Sequence, residues 1–341
     1  MSRLACFVPP DLLHEIARTT SNAELRRSAL DSLAIDAAIR TQRAENAART
    51  LTVPMSAHAG SGTPQRYIHD QQNNADMTPG PVVRAEGQAA VDDPAVNQAY
   101  DNFGDTYTFF WEVLHRDSID DQGMPIHGMV HFDSGYNNAF WDGEGHMWFG
   151  DGDGTMFSDF TNSLDVIGHE LTHGVTQYEA NLVYSGQSGA LNESISDVFG
   201  IQIKQRALGQ DVATSDWLIG ADIVGPALRP ALRSMKDPGE ANPHDDQPAD
   251  MDDYVPGGDV HTNSGIPNKA FYVLATTLGG NAWDTAGPIW YATLRDARLT
   301  PTATFQEFAR LSVRNAMMIY GARSSEADAV RGSWDAVKVP V

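Results

Sequence analysis

Apolar positions recur every four residues near the start of the chain: Leu25, Ala29, Leu33 and Ala37. They follow Ser21-Asn22-Ala23-Glu24, which has the form of a capping box, so residues 11–48 read as helical with one apolar face. An amphipathic helix cannot bury that face alone and must lie on something. From Thr50 to Pro64 the period vanishes among Pro, Gly, Ser and His, which predicts a linker open to proteases. Between Arg66 and Asp153 the apolar runs shorten. Pro81–Val83, Gly128–Phe132 and His146–Phe149 read as strands, with one helix near Pro94–His115. After Ser163 the pattern is helical. Asn162 or Ser163 caps a helix whose core stripe is Ile167, Leu171, Val175 and Tyr178, and a second helix covers about Ala190–Leu208 and stops at Gly209. Further helices are predicted at Pro267–Leu278, Pro288–Arg298, Thr304–Tyr320 (opened by the capping box Thr304–Glu307) and Glu326–Val337. Asp237–Asp259, rich in Pro, Gly, Asp and Asn, reads as a long functional loop.

With 341 residues and 41% hydrophobic content, the chain has material for two domains and a minor segment. The formal net charge of −22 argues against nucleic acid or an anionic membrane as partner. The charge is uneven: residues 1–50 hold seven Arg, no Lys and six acids, and the rest is strongly acidic, which marks a boundary. The single cysteine, Cys6, excludes an internal disulfide. No run approaches the ~20 apolar residues of a membrane span. Residues 1–30 lack a basic-then-apolar leader, and Asp11, Glu15, Glu24 and Asp31 interrupt the arginines of a would-be presequence. The location expected on this ground is cytoplasmic, with secretion by a non-classical route as the alternative.

The chemistry lies in His169-Glu170-Leu171-Thr172-His173 and in Asn192-Glu193-Ser194-Ile195-Ser196-Asp197. Histidines four apart on a helix sit about 40° apart around its axis, so both rings reach one ion. This is the H-E-x-x-H arrangement of zinc peptidases. Glu193 supplies a third ligand and leaves the fourth position open, as a catalytic zinc site requires. Asp197, one turn on, can accept the second ring N–H of a ligand histidine. Glu170 is then the general base that takes a proton from water and returns it to the leaving amine. An ordinary helix surface with a chance Glu would give the five-residue motif alone. It would not supply Glu193 and Asp197 as well.

These residues resemble the thermolysin-like family of zinc peptidases, within the wider gluzincin group, from about residue 66 to the C-terminus. The resemblance implies an α+β fold of two domains: a β-rich mixed N-terminal domain, an all-helical C-terminal domain, and one Zn2+ in the cleft between them. It implies that Asn138 and Ala139, in Asn137–Trp141, hold substrate backbone on an edge strand. By the same resemblance, Tyr184 and His261 are expected to stabilise the oxyanion, Arg233 to hold a substrate carbonyl, and Phe157, Val166 and Leu232 to line the apolar pocket after the scissile bond. Taken alone, Tyr184 would read as core and His261 as a loop residue. Gly150–Gly154 matches the family's turn before the active-site helix; an EF-hand fails, because Thr155 and Asn162 stand where a third oxygen-rich ligand and the closing Glu belong. Two positions depart from the pattern. The Asp that orients the family's histidine is Pro256 here, with Asp259 or Asp253 as substitutes. Lys204 occupies a Glu position of the family's double calcium site, beside Asp165, so that site is expected to be absent.

Cys6-Phe7-Val8-Pro9-Pro10 resembles the Cys-Phe-x-Pro-Pro element of a protealysin-like subgroup with a propeptide of about fifty residues. The implied division is a helical inhibitory propeptide at 1–52, a peptidase domain at 53–183 ending in the active-site helix, and a helical domain at 184–341. Cys6, Pro9 and Pro10 are expected in the cleft, with the Cys6 thiol a candidate for the open zinc position; a small buried apolar role is the plainer reading. Cleavage between about residues 48 and 60 would release a monomeric neutral endopeptidase that cuts before bulky apolar residues of proteins and peptides. Two alternatives stand beside it: a zinc aminopeptidase, although no Gly-x-Met-Glu-Asn-like element is present, and a silent binding module, against which the intact Glu170, Tyr184 and His261 argue.

Overall fold

A computed structural model describes residues 5–47 and 62–341. Residues 50–61 of the expected linker, and the cleavage window at 48–60, lie outside them. The elements run β1 (Ala5–Cys6), α1 (Pro10–Thr19), α2 (Ala23–Ala47), β2 (Arg66–Asp70), β3 (Val82–Ala85), α3 (Pro94–Leu114), β4 (Ile126–Val130), β5 (Ala139–Trp141) and β6 (His146–Phe149). Then follow α4 (Leu164–Tyr178), α5 (Gly186–Leu208), β7 (Leu218–Ile219), β8 (Arg233–Ser234), α6 (Val260–Asn263), α7 (Gly265–Leu278), α8 (Ala286–Leu294), α9 (Phe305–Tyr320) and α10 (Ser325–Ala336).

One six-stranded sheet has the order β1-β5-β6-β4-β2-β3. β2, β4 and β6 pair in parallel, while β3, β5 and β1 are antiparallel to their neighbours. α3 covers one face. There Gly128 carries no side chain because the Phe103 ring fills the space. The opposite face holds a second apolar cluster of Met129, Phe132, Tyr136, Phe140 and Trp148, closed by Cys6 and by Ile39 of α2. The second half is helical, apart from the small β7–β8 ribbon. The α+β architecture with a helical second domain is the one expected.

α4 and α5 form the seam between the halves. They approach closely at Gly168 and Gly200: a Cβ on Gly168 would lie 3.2 Å from the Gly200 Cα, and one on Gly200 would lie 2.6 Å from the Asp165 carbonyl oxygen. Only hydrogen fits at such a crossing. Ser163 is the N-cap residue of α4 but makes no capping hydrogen bond; its hydroxyl bonds Asp165 instead. Ile167, Leu171 and Val175 are buried as expected, whereas Tyr178, the last of the stripe, is 43% exposed at the frayed end of the helix. The capping box at Thr304–Glu307 forms as expected, with reciprocal bonds.

The N-terminal segment is two helices rather than one, broken at residues 20–22. Asn22, not Ser21, caps α2: its Oδ1 accepts from the Glu24 and Leu25 amides at 2.9 and 3.4 Å. The inward face of α2 also differs from the apolar stripe. Ala29 and Leu33 are buried, Ala37 is exposed, and the polar Ser32 and Asp36 are fully buried beside them. These two side chains face polar groups of the 136–138 segment, so their burial is satisfied by hydrogen bonds.

Candidate active site

α4 presents His169, Glu170 and His173, and α5 presents Glu193, Asn192 and Asp197. The ring nitrogens His169 Nε2 and His173 Nε2 are 2.9 Å apart. Glu193 Oε2 lies 3.4 Å from the first and its Oε1 3.5 Å from the second. Among the described residues, His169, His173 and Glu193 are the group whose ligand atoms lie within 4.8 Å of one another. Each histidine is locked by its other nitrogen: His169 Nδ1 is 2.8 Å from Asp197 Oδ1, and His173 Nδ1 is 2.8 Å from Asn192 Oδ1. Both Nε2 lone pairs are therefore free to converge. Glu193 Oε2 is buried with no hydrogen-bond partner. Two oriented imidazoles and an unsatisfied carboxylate oxygen fit a zinc ion with an open fourth position.

The Asp197 carboxylate does more than orient His169. Arg233 grips it with Nε and Nη2 at 3.0 and 2.8 Å, and the Asn268 amide donates to it at 2.9 Å. Burial alone would raise this carboxyl. The Arg233 charge and the His169 bond outweigh that and hold it well below its ordinary value. Glu170 lies on the other flank, fully buried. Burial pushes its carboxyl up to about 8 against the pull of His169. The Trp141 amide is close enough to favour the ionised form, although neither Glu170 oxygen has a fully formed hydrogen bond. A carboxyl so poised suits proton transfer near neutral pH.

Tyr184 and His261 stand together. The Tyr184 hydroxyl donates to Glu193 Oε1 and lies 3.2 Å from His261 Nε2. With Pro256 in the usual orienting position, Asp259 takes over: its Oδ1 is 2.6 Å from His261 Nδ1 and also accepts the His261 amide at 2.9 Å, as N-cap of α6. Burial opposes a charged ring, but Glu193 and Asp259 hold His261 well above its ordinary value. Both ring nitrogens then donate, Nδ1 to Asp259 and Nε2 into the cleft.

The cleft is filled by the chain's own N-terminus. β1 pairs antiparallel with β5, Cys6 opposite Phe140. The Phe7 amide donates to Ala139 O at 3.0 Å, and the Val8 amide to Asn138 Oδ1 at 2.8 Å. Arg233 Nη1 donates to Phe7 O at 2.9 Å, and Asn138 Nδ2 to Val8 O at 3.3 Å. The Phe7 ring meets His169 edge-on at 5.1 Å and lies under the Arg233 guanidinium. Phe157, Val166 and Leu232 are buried in the same apolar cluster as Phe7. Pro9 and Pro10 open α1, and Pro9 helps line a small cavity with Leu232, Arg233 and His261.

The Cys6 thiol is placed away from the three ligand atoms. Its Sγ points to the Val8 carbonyl, 3.7 Å away, and packs in the aromatic cluster. Burial and the Asp36 charge push it up to about 12, so it is a thiol. The Cys6 carbonyl oxygen lies 2.6 Å from His261 Nε2. Alternation along β1 explains the swap, because a strand that offers its backbone to the site turns its side chain to a sheet face.

Sequence reasoning gave no role to Asn192, Phe7 or Asp36. Asn192 precedes Glu193 and could have been found by asking which neighbour meets the second histidine. Asp36 bonds the Tyr136 hydroxyl at 2.5 Å and Asn138 Nδ2 at 3.2 Å. Its signal was an acid on the inward face of an amphipathic helix. Lys204 Nζ sits 3.3 Å from both Asp165 and Asp222, and those charges keep it protonated against its burial.

Residues 26–177 match the thermolysin metallopeptidase catalytic domain, and residues 180–339 match the thermolysin metallopeptidase alpha-helical domain. The chain belongs to the thermolysin family of metallopeptidases. Like other members it is a metalloendopeptidase, and its buried His169/His173/Glu193 group has the geometry to hold a metal ion. It is 48% identical over 291 residues to an extracellular metalloprotease of Pectobacterium carotovorum subsp. carotovorum, covering 82% of this chain and 83% of that one. It is 42% identical to the protease PrtS of Photorhabdus sp. (strain Az29), covering 98% and 92%. The solved precursor of protealysin, a metalloproteinase from Serratia proteamaculans, superposes with a TM-score of 0.87 at 43% identity, over 98% of this chain and 99% of that one. The expected cytoplasmic location is overturned by the relative named as extracellular. The pattern of residues 1–30 speaks only to one export route, and so carried less than was read from it. No helix among the described residues is long and apolar enough to cross a membrane.

Proposed function

We propose that this thermolysin-family enzyme is a zinc-dependent neutral endopeptidase that cuts on the amino side of bulky apolar residues, held latent by residues 1–52 and released outside the cytoplasm by cleavage in the linker. The peptidase halves are then 53–183 and 184–341. The observation that carries the reading is the backbone of residues 6–8, laid as an added strand on Asn138 and Ala139 directly over the His169/His173/Glu193 cluster.

His169, His173 and Glu193 would hold the zinc, which supplies Lewis-acid polarisation and lowers the pKa of water toward neutrality. The residues do the rest. Asn138 and the Ala139 carbonyl fix substrate backbone, and Arg233, braced by Asp197, holds the carbonyl after the scissile bond. Leu232, which packs with the Phe7 ring against Gly220, and the buried Val166 and Phe157 would form the apolar wall that favours a large side chain here. His261 Nε2 and the Tyr184 hydroxyl donate to the carbonyl under attack, a contribution of ~3–4 kcal/mol per donor in comparable sites. Glu170 takes the proton from the attacking water and delivers it to the leaving nitrogen. At the former calcium position, the Lys204 ammonium neutralises Asp165 and Asp222, and the reading is that no double calcium site forms there.

The test is hydrolysis of casein and of an N-terminally blocked peptide after limited proteolysis of the linker. Hydrolysis, its block by a zinc chelator and its loss in Glu170→Gln support the reading. A preparation free of zinc by elemental analysis, or one that requires a free N-terminus on its substrate, overturns it.

A further inference from the structure

Residues 6–8 do more than fill the cleft, because five of their polar backbone groups, from the Cys6 carbonyl to the Val8 carbonyl, take partners suited to a substrate. The Cys6 carbonyl meets His261 Nε2 at 2.6 Å, the oxyanion side of the site. The next amide, of Phe7, donates to Ala139 O, and the Phe7 carbonyl accepts from Arg233. Val8 is clasped through both its amide and its carbonyl by Asn138. Upstream, Ala5 stays in antiparallel register with Trp141. Among the described residues, the peptide bond with its carbonyl on His261 and its next carbonyl on Arg233 is Cys6–Phe7, and Phe7 supplies the large apolar side chain the pocket takes.

We infer that Cys6–Phe7 is itself a substrate bond of this enzyme, cut within the same chain, and that the cut trims the latent form without activating it. The inference rests on the proposed peptidase reading. Water oxygen adds to the Cys6 carbonyl carbon and the bond to the Phe7 nitrogen breaks. Glu170 carries the water proton to that nitrogen, which leaves as an amine, while Cys6 ends as a carboxylic acid. On the upstream side of the cut, the described residues Ala5 and Cys6 are held by the two-residue β1 pairing and by the Cys6 side chain and carbonyl, too little to retain residues 1–6. The contacts that hold the rest lie beyond the cut: Phe7 O to Arg233, Val8 to Asn138, Ser32 Oγ to the Asn137 amide at 3.1 Å, and Asp36 to Tyr136. The trimmed segment therefore remains in the cleft as a bound product.

The experiment follows the full-length chain with zinc by intact-mass spectrometry and N-terminal sequencing. The expected species begins at Phe7, forms at a rate independent of chain concentration, and shows no rise in peptide hydrolysis. Glu170→Gln keeps residues 1–6, and Phe7→Asp, which puts a carboxylate in the apolar pocket, slows the cut by roughly a hundredfold. A chain that retains residues 1–6 while the linker-cleaved preparation hydrolyses peptides overturns the inference and leaves the peptidase reading intact; loss of both overturns the peptidase reading. In the metal-free chain, hydrogen exchange gives a second measurement. Protected Phe7 and Val8 amides support the register, and exchange at the rate of unpaired amides overturns it.

Discussion

The α4–α5 pair and the N-terminal segment meet at the same cleft but are built on different principles. The helix pair is local in sequence. Its two histidines and Glu170 fall within one turn, Glu193 follows on the next helix, and the two helices touch at Gly168 and Gly200. The segment is held by distant partners: Val8 and Asn138 are 130 residues apart, and Phe7 and Arg233 are 226 apart. The pair is rigid because side chains interlock on both sides of each ligand. The segment is held mainly by backbone groups on an edge strand and by a few buried polar contacts, the same means by which a peptidase holds any substrate. On the proposed reading, chemistry is thus fixed by the scaffold, and latency by a competitor for the substrate's bonds.

The largest break in that comparison comes from Glu170→Gln. Peptide hydrolysis by the linker-cleaved enzyme falls on the order of 10^3-fold or more, while bound zinc and the docking of α1 and α2 stay unchanged. Elemental analysis and hydrogen exchange on α1 and α2 check the two halves of that statement. Gly200→Ala attacks the scaffold instead. A methyl 2.6 Å from the Asp165 carbonyl and 3.4 Å from the His169 amide forces α4 and α5 apart. The expected cost is about 2–3 kcal/mol of stability with a weakened zinc affinity, read by denaturant titration and competition with a chelator. A variant with wild-type stability and zinc affinity would show that the helix crossing does not set the ligand geometry.

The same contrast explains what could be read without coordinates. The grouping of His169, His173 and Glu193, with Asp197 beside it, and the Thr304 capping box were legible because spacing within or between adjacent helices places them. The apolar stripe of α4 was legible up to Tyr178, where the helix end leaves the core. The β1 strand was not, since a two-residue strand has no period and its partner lies across the molecule. Cys6 was placed in the cleft but its orientation was not legible, for the same reason: side-chain chemistry suggested the thiol for the open position, and strand geometry turns the carbonyl to His261. Asp259 as the partner of His261 was one of two acids in reach, and only the N-cap turn of α6 distinguishes it from Asp253.

Asp36→Ala tests the segment where the sequence was least informative. It removes the acceptor of the buried Tyr136 hydroxyl and one bond to the Asn138 amide. An unsatisfied buried hydroxyl costs about 1–3 kcal/mol. Here the loss falls on docking, so uncut chain should leak peptidase activity by roughly 10- to 100-fold over wild type, since each 1.4 kcal/mol is tenfold. The linker-cleaved enzyme should be indifferent to the change once the segment has left. Equal leakage in the variant and the wild type would mean that the main-chain bonds of residues 6–8 suffice for latency.

The smallest effect is a pH dependence that belongs to the scaffold alone. His131 bridges Asp151, at 2.8 Å in the Gly150–Gly154 turn, and Asp93, at 2.9 Å, the N-cap of α3. The Asp151 bond raises the ring most, burial opposes it, and Asp93 adds to it, so His131 is pushed up to about 9. Because the folded value lies above the ordinary 6.5, the stabilisation is fully present below pH 6.5 and is lost as pH rises through about 9. The site is partly open to water, which limits the contribution to on the order of 1 kcal/mol. Denaturant titrations of wild type and His131→Gln should therefore differ at pH 6 and converge near pH 10. The gap should be the same before and after the N-terminal segment is released, because neither carboxylate touches residues 5–39. A gap that changes with release would show that the segment and the scaffold are coupled through the turn that leads into α4.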